Sequence, residues 1–128
     1  MFGSDFNLML YVRDVARSAA FYHDALGFDF QGWWSDERQA HVKDWTDAGR
    51  PGYAELSAGP LKVSLHASDE VVRTGGAMFH LKVANVDEYY GRVRDKGIDV
   101  SAPKDEPWGW RMITVTDPDG HEWGFYTA

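Results

Sequence analysis

The sequence predicts an α+β fold made of two similar halves. Its 128 residues suit one domain with a sizeable core, and strand-like runs surround two segments in which apolar residues recur at helical spacing. A short pattern also occurs twice: Tyr11–Val15 resembles Lys82–Val86, and Gly27–Phe30 resembles Gly97–Val100, with one residue fewer between the two pieces. Each half is therefore predicted to contain a strand, a helix and three further strands.

The first half is predicted to begin with a strand over Leu8–Val12 and to continue into a helix. Asp14 stands where a carboxylate can accept hydrogen bonds from the free N–H groups of a helix start. Gly27 stands where a left-handed residue ends a helix. A second strand, roughly alternating in polarity, is predicted over Phe28–Trp34.

The remainder of the first half is predicted to contain a short helix or turn and then a β-hairpin. Ser35 precedes two acidic residues, which is typical of a helix start, so a helix or turn is predicted through about Asp47. Strands over Tyr53–Ser57 and Leu61–Ala67 are predicted to pair around a turn at Ala58–Pro60.

The second half repeats this order after a polar linker, within a single domain spanning 1–128. The first module is predicted at about 6–67, the linker at about 68–76 and the second module at about 77–127. Asn85 and Glu88 have the spacing of a capping box. The predicted elements are a strand over Met78–Val83, a helix from Asn85 to Lys96 closed by Gly97, strands over Ile98–Val100 and Arg111–Thr116, a turn over Asp117–Gly120 and a strand over His121–Tyr126.

Composition excludes several functions. With 13 basic and 20 acidic residues, the formal net charge is −7, which argues against nucleic acid as a partner and is compatible with cationic ligands. No Cys is present, so disulfides and thiolate chemistry are excluded. Residues 1–7 do not resemble a signal peptide, and no apolar run is long enough for a membrane helix. We therefore expect a soluble, cytoplasmic protein with no membrane partner.

Several pieces of the chain together resemble the vicinal oxygen chelate superfamily, which contains glyoxalases, bleomycin-resistance proteins and extradiol dioxygenases. They are Val12–Tyr22, Leu26–Phe28 and Asp117–Gly120, and the resemblance extends from about 7 to about 126. Glu106–Arg111 contains a Pro-Trp-Gly segment similar to that of bleomycin-resistance-type binding proteins. The resemblance implies two βαβββ modules that form curved mixed sheets, and a homodimer whose pockets lie where modules of two chains face each other.

The resemblance also identifies the positions at which metal-dependent members carry ligands. These are Asn7, Ser64, Met78 and Gly124, and such side chains do not make a site for a divalent cation. Because alternate strand residues share a face, a displaced site from His66, His80 and Glu122 remains an alternative. We expect no metal, no cofactor and no catalytic residue.

The aromatic content, 15% of the chain, indicates the function. Placed on the strands of the implied fold, many of the rings fall on the concave, ligand-binding side or its rim, and Gly124 is expected to leave room for a bulky ligand. His121 is expected to point outward, and His23 and His41 to be solvated helix residues. The candidate ligand-binding residues are Tyr11, Trp33, Trp34, Trp45, Ser64, His66, Met78, His80, Trp108, Trp110, Met112, Glu122 and Gly124.

The favoured hypothesis is a metal-free protein that binds and sequesters a planar or cationic aromatic small molecule, such as an antibiotic. The alternative use of the same rings is to fill the core or a dimer interface. The alternative function is a lyase, isomerase or dioxygenase that uses the displaced metal site or an acid–base pair such as His80 and Glu122.

Overall fold

The computed structural model describes residues 1–45, 50–70 and 76–128. It contains two compact units, one on each side of the segment 71–75. Each unit combines a mixed β-sheet with a helix, so the predicted α+β class is confirmed. The predicted linker falls largely on 71–75, which lies outside the described residues, and its boundaries stay a prediction.

The first unit is a five-stranded sheet with one helix. Its strand order is β1-β5-β4-β2-β3, in which β1 runs parallel to β5 and the other neighbours are antiparallel. The elements are β1 (Phe6–Val12), α1 (Val15–Ala20) with a π-helical extension (Phe21–Ala25), β2 (Asp29–Ser35), β3 (Ala40–Val42), β4 (Tyr53–Ala58) and β5 (Leu61–Ala67).

Helix α1 begins and ends where the sequence predicted. The Asp14 carboxylate accepts a hydrogen bond from the Arg17 backbone N–H at 3.0 Å. Gly27 ends the helical segment with φ +79°, a conformation that other residues adopt only at a cost. The helix buries Val15, Ala19 and Tyr22 against the sheet, which leaves the opposite face of that sheet uncovered by α1.

Strand β2 contains a β-bulge at Gln31. Phe30 is opposite Leu56, and Gly32 is opposite Glu55, so two steps along β2 correspond to one step along β4. A bulge of this kind shifts the alternation of side chains by one residue. Residues after Gln31 therefore point to the opposite face from the one that strict alternation from Phe30 would give.

The range predicted as a short helix or turn from Ser35 contains a turn over 36–39, and no helix within the residues that the structure describes. β2 and β3 form a hairpin instead, and β3 is one strand more than predicted for this half. The Ser35 hydroxyl accepts from the Arg38 N–H at 3.3 Å, as a helix N-cap would. Gln39 then takes the left-handed φ of +52°, which stops helix propagation after one turn.

The second unit is a four-stranded sheet with one helix. Its order is β6-β9-β8-β7, with β6 parallel to β9 and the remaining pairs antiparallel. The elements are β6 (Phe79–Lys82), α2 (Val86–Asp95), β7 (Lys104–Asp105), β8 (Arg111–Thr116) and β9 (Glu122–Thr127).

Helix α2 confirms the predicted capping residues, because Asn85 accepts from the Glu88 N–H at 3.1 Å and Gly97 has φ +80°. The strand predicted over Ile98–Val100 is wrong. Only Val100 forms a bridge, to Val115, and the short β7 follows it. Three residues beside the helix end give too few ladder hydrogen bonds for a strand of their own.

The core of the second unit lies between α2 and its sheet. Trp123 and Phe125 of β9 are fully buried there. The expectation that His121 points outward is wrong, because this residue is buried; its backbone N–H donates to the Asp117 carboxylate at 2.8 Å. None of the helices described is both long and apolar enough to span a membrane.

Candidate functional site

The face of the first sheet opposite α1, which we call the open face, carries polar and aromatic side chains. Leu10 and Val12 of β1 are buried on the helix side, whereas Met9 and Tyr11 between and beside them are 52% and 51% exposed. In β5, Lys62 and His66 are likewise exposed. The strand faces predicted for Tyr11 and His66 are therefore those observed.

Five rings form a continuous row across the open face, which we call the ring row. Their centroids are separated by 5.7 Å from Tyr11 to His66, 6.3 Å from His66 to Tyr53, 6.1 Å from Tyr53 to His41 and 5.4 Å from His41 to Trp34. Strand pairing causes this alignment, because Tyr11 and Tyr53 are both direct neighbours of His66. Separations of this size are typical of interacting aromatic rings.

One end of the ring row opens into a cavity of about 490 Å³. This volume is within the range of small-molecule sites. Of the predicted binding residues, Trp34, Trp45 and His66 line it. Its lining consists of Trp34, Asp36, His41, Trp45, Gly52, Tyr53 and His66. The prediction of His41 as a helix residue is wrong, because it lies in β3 beside two rings of the row, whereas its predicted exposure is observed.

Trp33 and Trp34 point to opposite faces, as expected for neighbours in a strand. Because of the bulge, Trp33 is opposite the buried Ala54, and its ring contacts Phe30 at 4.8 Å. Trp34 takes the cavity side, where its indole N–H donates to the Asp36 carboxylate at 2.9 Å. The structure does not bring Trp33 to the cavity.

A chain of hydrogen bonds runs from Tyr53 of the ring row through Ser64 of β5 to Asn7 of β1. The Tyr53 hydroxyl donates to the Ser64 hydroxyl at 2.9 Å, and Ser64 donates to the Asn7 Oδ1 at 3.0 Å. Ser64 is fully buried. Its hydroxyl is therefore used within the protein, and Ser64 is not among the residues that line the cavity.

The carboxylate of Glu55 lies beside the imidazole of His41, one of the residues that line the cavity. The His41 Nε2 is 3.7 Å from the Glu55 Oε2, and both side chains are partly exposed. Glu55 shares the open face with Ser64, its partner across β4 and β5. With Asp36, this arrangement gives the site two acidic groups beside aromatic faces, a combination that attracts cations.

In the second unit, four rings gather on the sheet face opposite the core, and we call them the indole cluster. Trp110 stacks on Tyr126 with centroids 3.7 Å apart and planes at 7°. His80 meets Trp110 edge-on at 5.4 Å, and Trp108 lies 6.2 Å from Trp110 while remaining 59% exposed. The structure thus brings together three of the predicted binding residues: His80, Trp108 and Trp110.

The open space predicted above Gly124 is absent. A Cβ at this position would lie 2.5 Å from the Met112 Cε and 2.8 Å from the His80 Cδ2. The Met112 side chain is buried and fills the room that the missing side chain leaves. Gly124 therefore permits the packing of Met112 and His80.

The residues at the metal positions implied by the resemblance do not fit a divalent cation. Asn7 and Ser64 bond to each other, Met78 offers only a thioether, and Gly124 offers no side chain at all. No group of three His, Asp or Glu residues among 1–45, 50–70 and 76–128 is arranged to hold a metal ion. Glu122 is exposed at the start of β9, opposite Thr116.

Sequence reasoning missed Tyr53, His41 and Asp36. A signal for Tyr53 was available, because the predicted hairpin around Ala58–Pro60 places it opposite His66 once the register is counted. His41 and Asp36 were hidden by the wrong helix prediction. Their positions depend on the β2–β3 hairpin, which the Ser-Asp-Glu pattern concealed.

Comparison with known families agrees with this fold. The family model described as the Glyoxalase/Bleomycin resistance protein/Dioxygenase superfamily matches residues 7–125. The chain belongs to this superfamily. Its description covers enzymes and resistance proteins together, so membership alone does not select between binding and catalysis. A search of curated protein sequences gives no match.

Several solved structures are similar to nearly the whole chain. TioX from Micromonospora sp. ML1 is 25% identical with a TM-score of 0.75, covering 97% of this chain and 98% of TioX. The bleomycin resistance determinant encoded on the transposon Tn5 is 24% identical with a TM-score of 0.68, covering 94% of each chain. TnmS3, an antibiotic binding protein from Streptomyces sp. CB03234, is 20% identical with a TM-score of 0.71, covering 98% of this chain and 95% of TnmS3.

Proposed function

We propose that this superfamily member binds and sequesters a planar aromatic, cationic small molecule of the antibiotic type, without a metal and without chemical turnover. The observation that carries the proposal is the ring row, which ends in the cavity of about 490 Å³. Flat rings on a concave surface, with a few polar groups beside them, are typical of small-molecule sites.

The charges support a cationic ligand. Asp36 and Glu55 place carboxylates next to Trp34 and Tyr53, and the whole chain carries a formal charge of −7. A cation over an aromatic face gains attraction from the ring, and the effect increases when water is excluded. The net charge also raises the local concentration of cations around the protein.

Binding without metal chemistry is supported by Asn7 and Ser64. Both stand at positions where metal-dependent relatives are expected to carry ligands, and here they are engaged in a hydrogen bond to each other. The enzyme alternative needs His66, His80 and Glu122 as a displaced metal site, and no observation on the described residues favours it. Two of the similar structures, the bleomycin resistance determinant and TnmS3, are named for antibiotic resistance or binding.

We further propose that two chains pair as a homodimer, as the resemblance implies. Strand β1 is at the edge of its sheet and exposes Phe6, Met9 and Tyr11, which is consistent with a surface that becomes covered. Sedimentation velocity should give a mass of two chains, and a single-chain mass at micromolar concentration would contradict the pairing. The cytoplasmic location stays a prediction from the sequence.

Fluorescence titration with two dyes tests the binding function. The planar cation proflavine should bind, whereas the anion 1-anilinonaphthalene-8-sulfonate should bind more weakly. Trp34→Ala should weaken proflavine binding about tenfold, because a stacking and cation–π surface is lost. Tyr90→Ala is the matched control, because this ring lies on α2 beside Arg94, outside the site.

Two results would contradict the proposal. One is the absence of binding to proflavine and to a panel of polycyclic and glycopeptide antibiotics. The other is a stoichiometric divalent metal in protein purified without chelators, which would favour the enzyme alternative instead.

A further inference from the structure

We infer that the cavity of the first unit selects ligands that donate hydrogen bonds, and that the phenolic oxygen of Tyr53 accepts the hydrogen bond from the ligand. Ser64 and Asn7 act as positioning residues, because they fix the direction of the Tyr53 proton. This inference rests on the proposed function and names the ligand more narrowly, as a planar aromatic ring system bearing N–H groups, such as an aryl amine or amidine.

The direction of the proton follows from Asn7. Its Oδ1 is a carbonyl oxygen, which accepts and never donates. The hydrogen bond of 3.0 Å between Asn7 and Ser64 therefore uses the single proton of the Ser64 hydroxyl. Ser64 then has only lone pairs to offer, so the bond of 2.9 Å to Tyr53 must use the phenolic proton.

The consequence is that Tyr53, which lines the cavity, has only the lone pairs of its phenolic oxygen to offer a ligand. Its O–H is used on Ser64, and the phenolic oxygen has no further hydrogen-bond partner among the described residues. Because Ser64 is fully buried, water does not compete for its hydroxyl, and the direction of the two hydrogen bonds stays fixed. A ligand that presents an N–H to Tyr53 would be accepted, and one that presents only an acceptor would be repelled.

The second donor at the cavity is also used. The Trp34 indole N–H donates to the Asp36 carboxylate, so Trp34 offers a ligand only its aromatic face. Asp36 retains lone pairs, since a carboxylate has about four acceptor sites. His41 and His66 can each donate or accept according to tautomer, so they do not set the preference. Among the groups whose roles are fixed by these bonds, Tyr53 and Asp36 therefore offer a ligand acceptors and Trp34 offers no donor.

The preference for donors can be measured with two dyes of the same ring system and charge. Proflavine carries two exocyclic NH₂ groups, whereas acridine orange carries dimethylamino groups in their place. We expect the wild-type protein to bind proflavine about tenfold more tightly, the effect of one hydrogen bond to a charged donor. In Tyr53→Phe the acceptor is lost, so the ratio of the two dissociation constants should fall. Any ratio that remains then reflects only the different sizes of the two dyes.

Variants of Asn7 separate positioning from mere structure. Asn7→Asp keeps an acceptor-only group beside Ser64, so the dye ratio should be retained. Asn7→Ala frees the Ser64 proton to donate to Tyr53, which frees the phenolic O–H to face the cavity, and the ratio should fall as in Tyr53→Phe. An equal fall in Asn7→Asp and Asn7→Ala would contradict the positioning role.

A measurement without any ligand tests the proton direction itself. The tyrosine doublet in the ultraviolet resonance Raman difference spectrum, wild type minus Tyr53→Phe, should be that of a hydrogen-bond donor. A doublet typical of an acceptor phenol would overturn the inference whether or not a dye binds. Equal binding of both dyes by the wild type would overturn the inference alone. Binding of neither dye would contradict the ligand class, and it would contradict the proposed function as well if the panel of antibiotics also failed to bind.

Discussion

The indole of Trp110 lies parallel to the phenol of Tyr126, with the ring centroids 3.7 Å apart and the planes inclined by 7°. Such stacking adds about 0.5–1.5 kcal/mol to the energy of area burial. We predict that Trp110→Ala lowers the free energy of unfolding by about 2 kcal/mol. Trp108→Ala, which removes a ring that is 59% exposed, should cost less than about 0.5 kcal/mol. Urea unfolding measures both, and equal losses would contradict the importance of the stack.

A second prediction concerns Gly124, where the side chain of Met112 fills the space that a larger residue would need. Gly124→Ala places a Cβ 2.5 Å from the Met112 Cε and 2.8 Å from the His80 Cδ2. Met112 can shift cheaply because its methyl is the end of a flexible chain, but the His80 ring is stiffer. We expect a loss of about 1–2 kcal/mol from overcrowding.

Gly91 provides a control of opposite sign. It lies within α2, and a Cβ there meets nothing within 4 Å. Gly91→Ala should therefore raise the free energy of unfolding by about 0.5–1 kcal/mol, because alanine favours the helix. If both variants stabilised the protein, the space at Gly124 would not be filled as described.

A third prediction concerns Asp117, which holds the turn before β9. Its buried carboxylate accepts from the N–H groups of Asp119 at 2.9 Å and His121 at 2.8 Å. Asp117→Ala should cost about 2–3 kcal/mol, because two backbone donors lose their acceptor in a site with little water. Asp117→Asn keeps an accepting oxygen and should cost less than half as much. Similar losses in both variants, measured by thermal unfolding, would show that the negative charge matters more than the acceptor.

A fourth prediction concerns pH and the Asp87–Arg111 pair. Arg111 donates to both carboxylate oxygens of Asp87, at 3.0 and 3.0 Å to the nearest atoms, and this bonding holds the pKa of Asp87 below its ordinary value of 3.8. The pKa of Asp87 is therefore lower in the folded state than in the unfolded state. The pair stabilises the fold fully at pH values above the unfolded-state pKa, and this contribution is lost as the pH falls through the folded-state pKa.

Asp87→Asn should therefore be less stable than the wild type at pH 7, and the difference should disappear in strong acid. Unfolding free energies measured from pH 7 downward check this. The carboxylate is exposed, so the difference should also shrink at high salt. A difference that grew towards low pH would have the wrong sign for this interaction.

Much of the fold could be predicted because its signals are local. Asp14, Asn85, Gly27 and Gly97 mark helix ends through groups within a few residues, and Trp123 belongs to a strand with plain alternation. The hairpin from Ser35 to Val42 could not be predicted in this way. The hydrogen bond from the Arg38 N–H to the Ser35 hydroxyl occurs at the start of a helix as well as in this turn. Only the pairing of β3 with β2 decides between a helix and a hairpin.

The site was harder to predict because it depends on pairing between strands distant in sequence. Tyr11 and His66 were expected on the ligand side, and they lie in the ring row. Of the neighbours Trp33 and Trp34 one was expected on each face, and only the strand pairing shows that it is Trp34 that lies in the row. Gly124 was expected to leave space on its strand, but the filling of that space by Met112 was not foreseen. The rotamer of a flexible methionine is decided by packing, which the sequence does not show. Likewise, Ser64 was expected to bind the ligand. The structure shows that it is buried, does not line the cavity and bonds to Tyr53 and Asn7 instead.

The bulge at Gln31 has a consequence for how such a site can change. Two identical indoles stand next to each other in β2, and the extra residue sets the phase of the strand so that Trp34 rather than Trp33 is presented to the cavity. Uninterrupted alternation from Phe30 would place Trp33 opposite Tyr53 and turn Trp34 towards the core. Shifts in the length or register of this strand, with no substitution at all, can therefore exchange which surface a ligand meets, and insertions or deletions near Gln31 are a direct route to altered specificity.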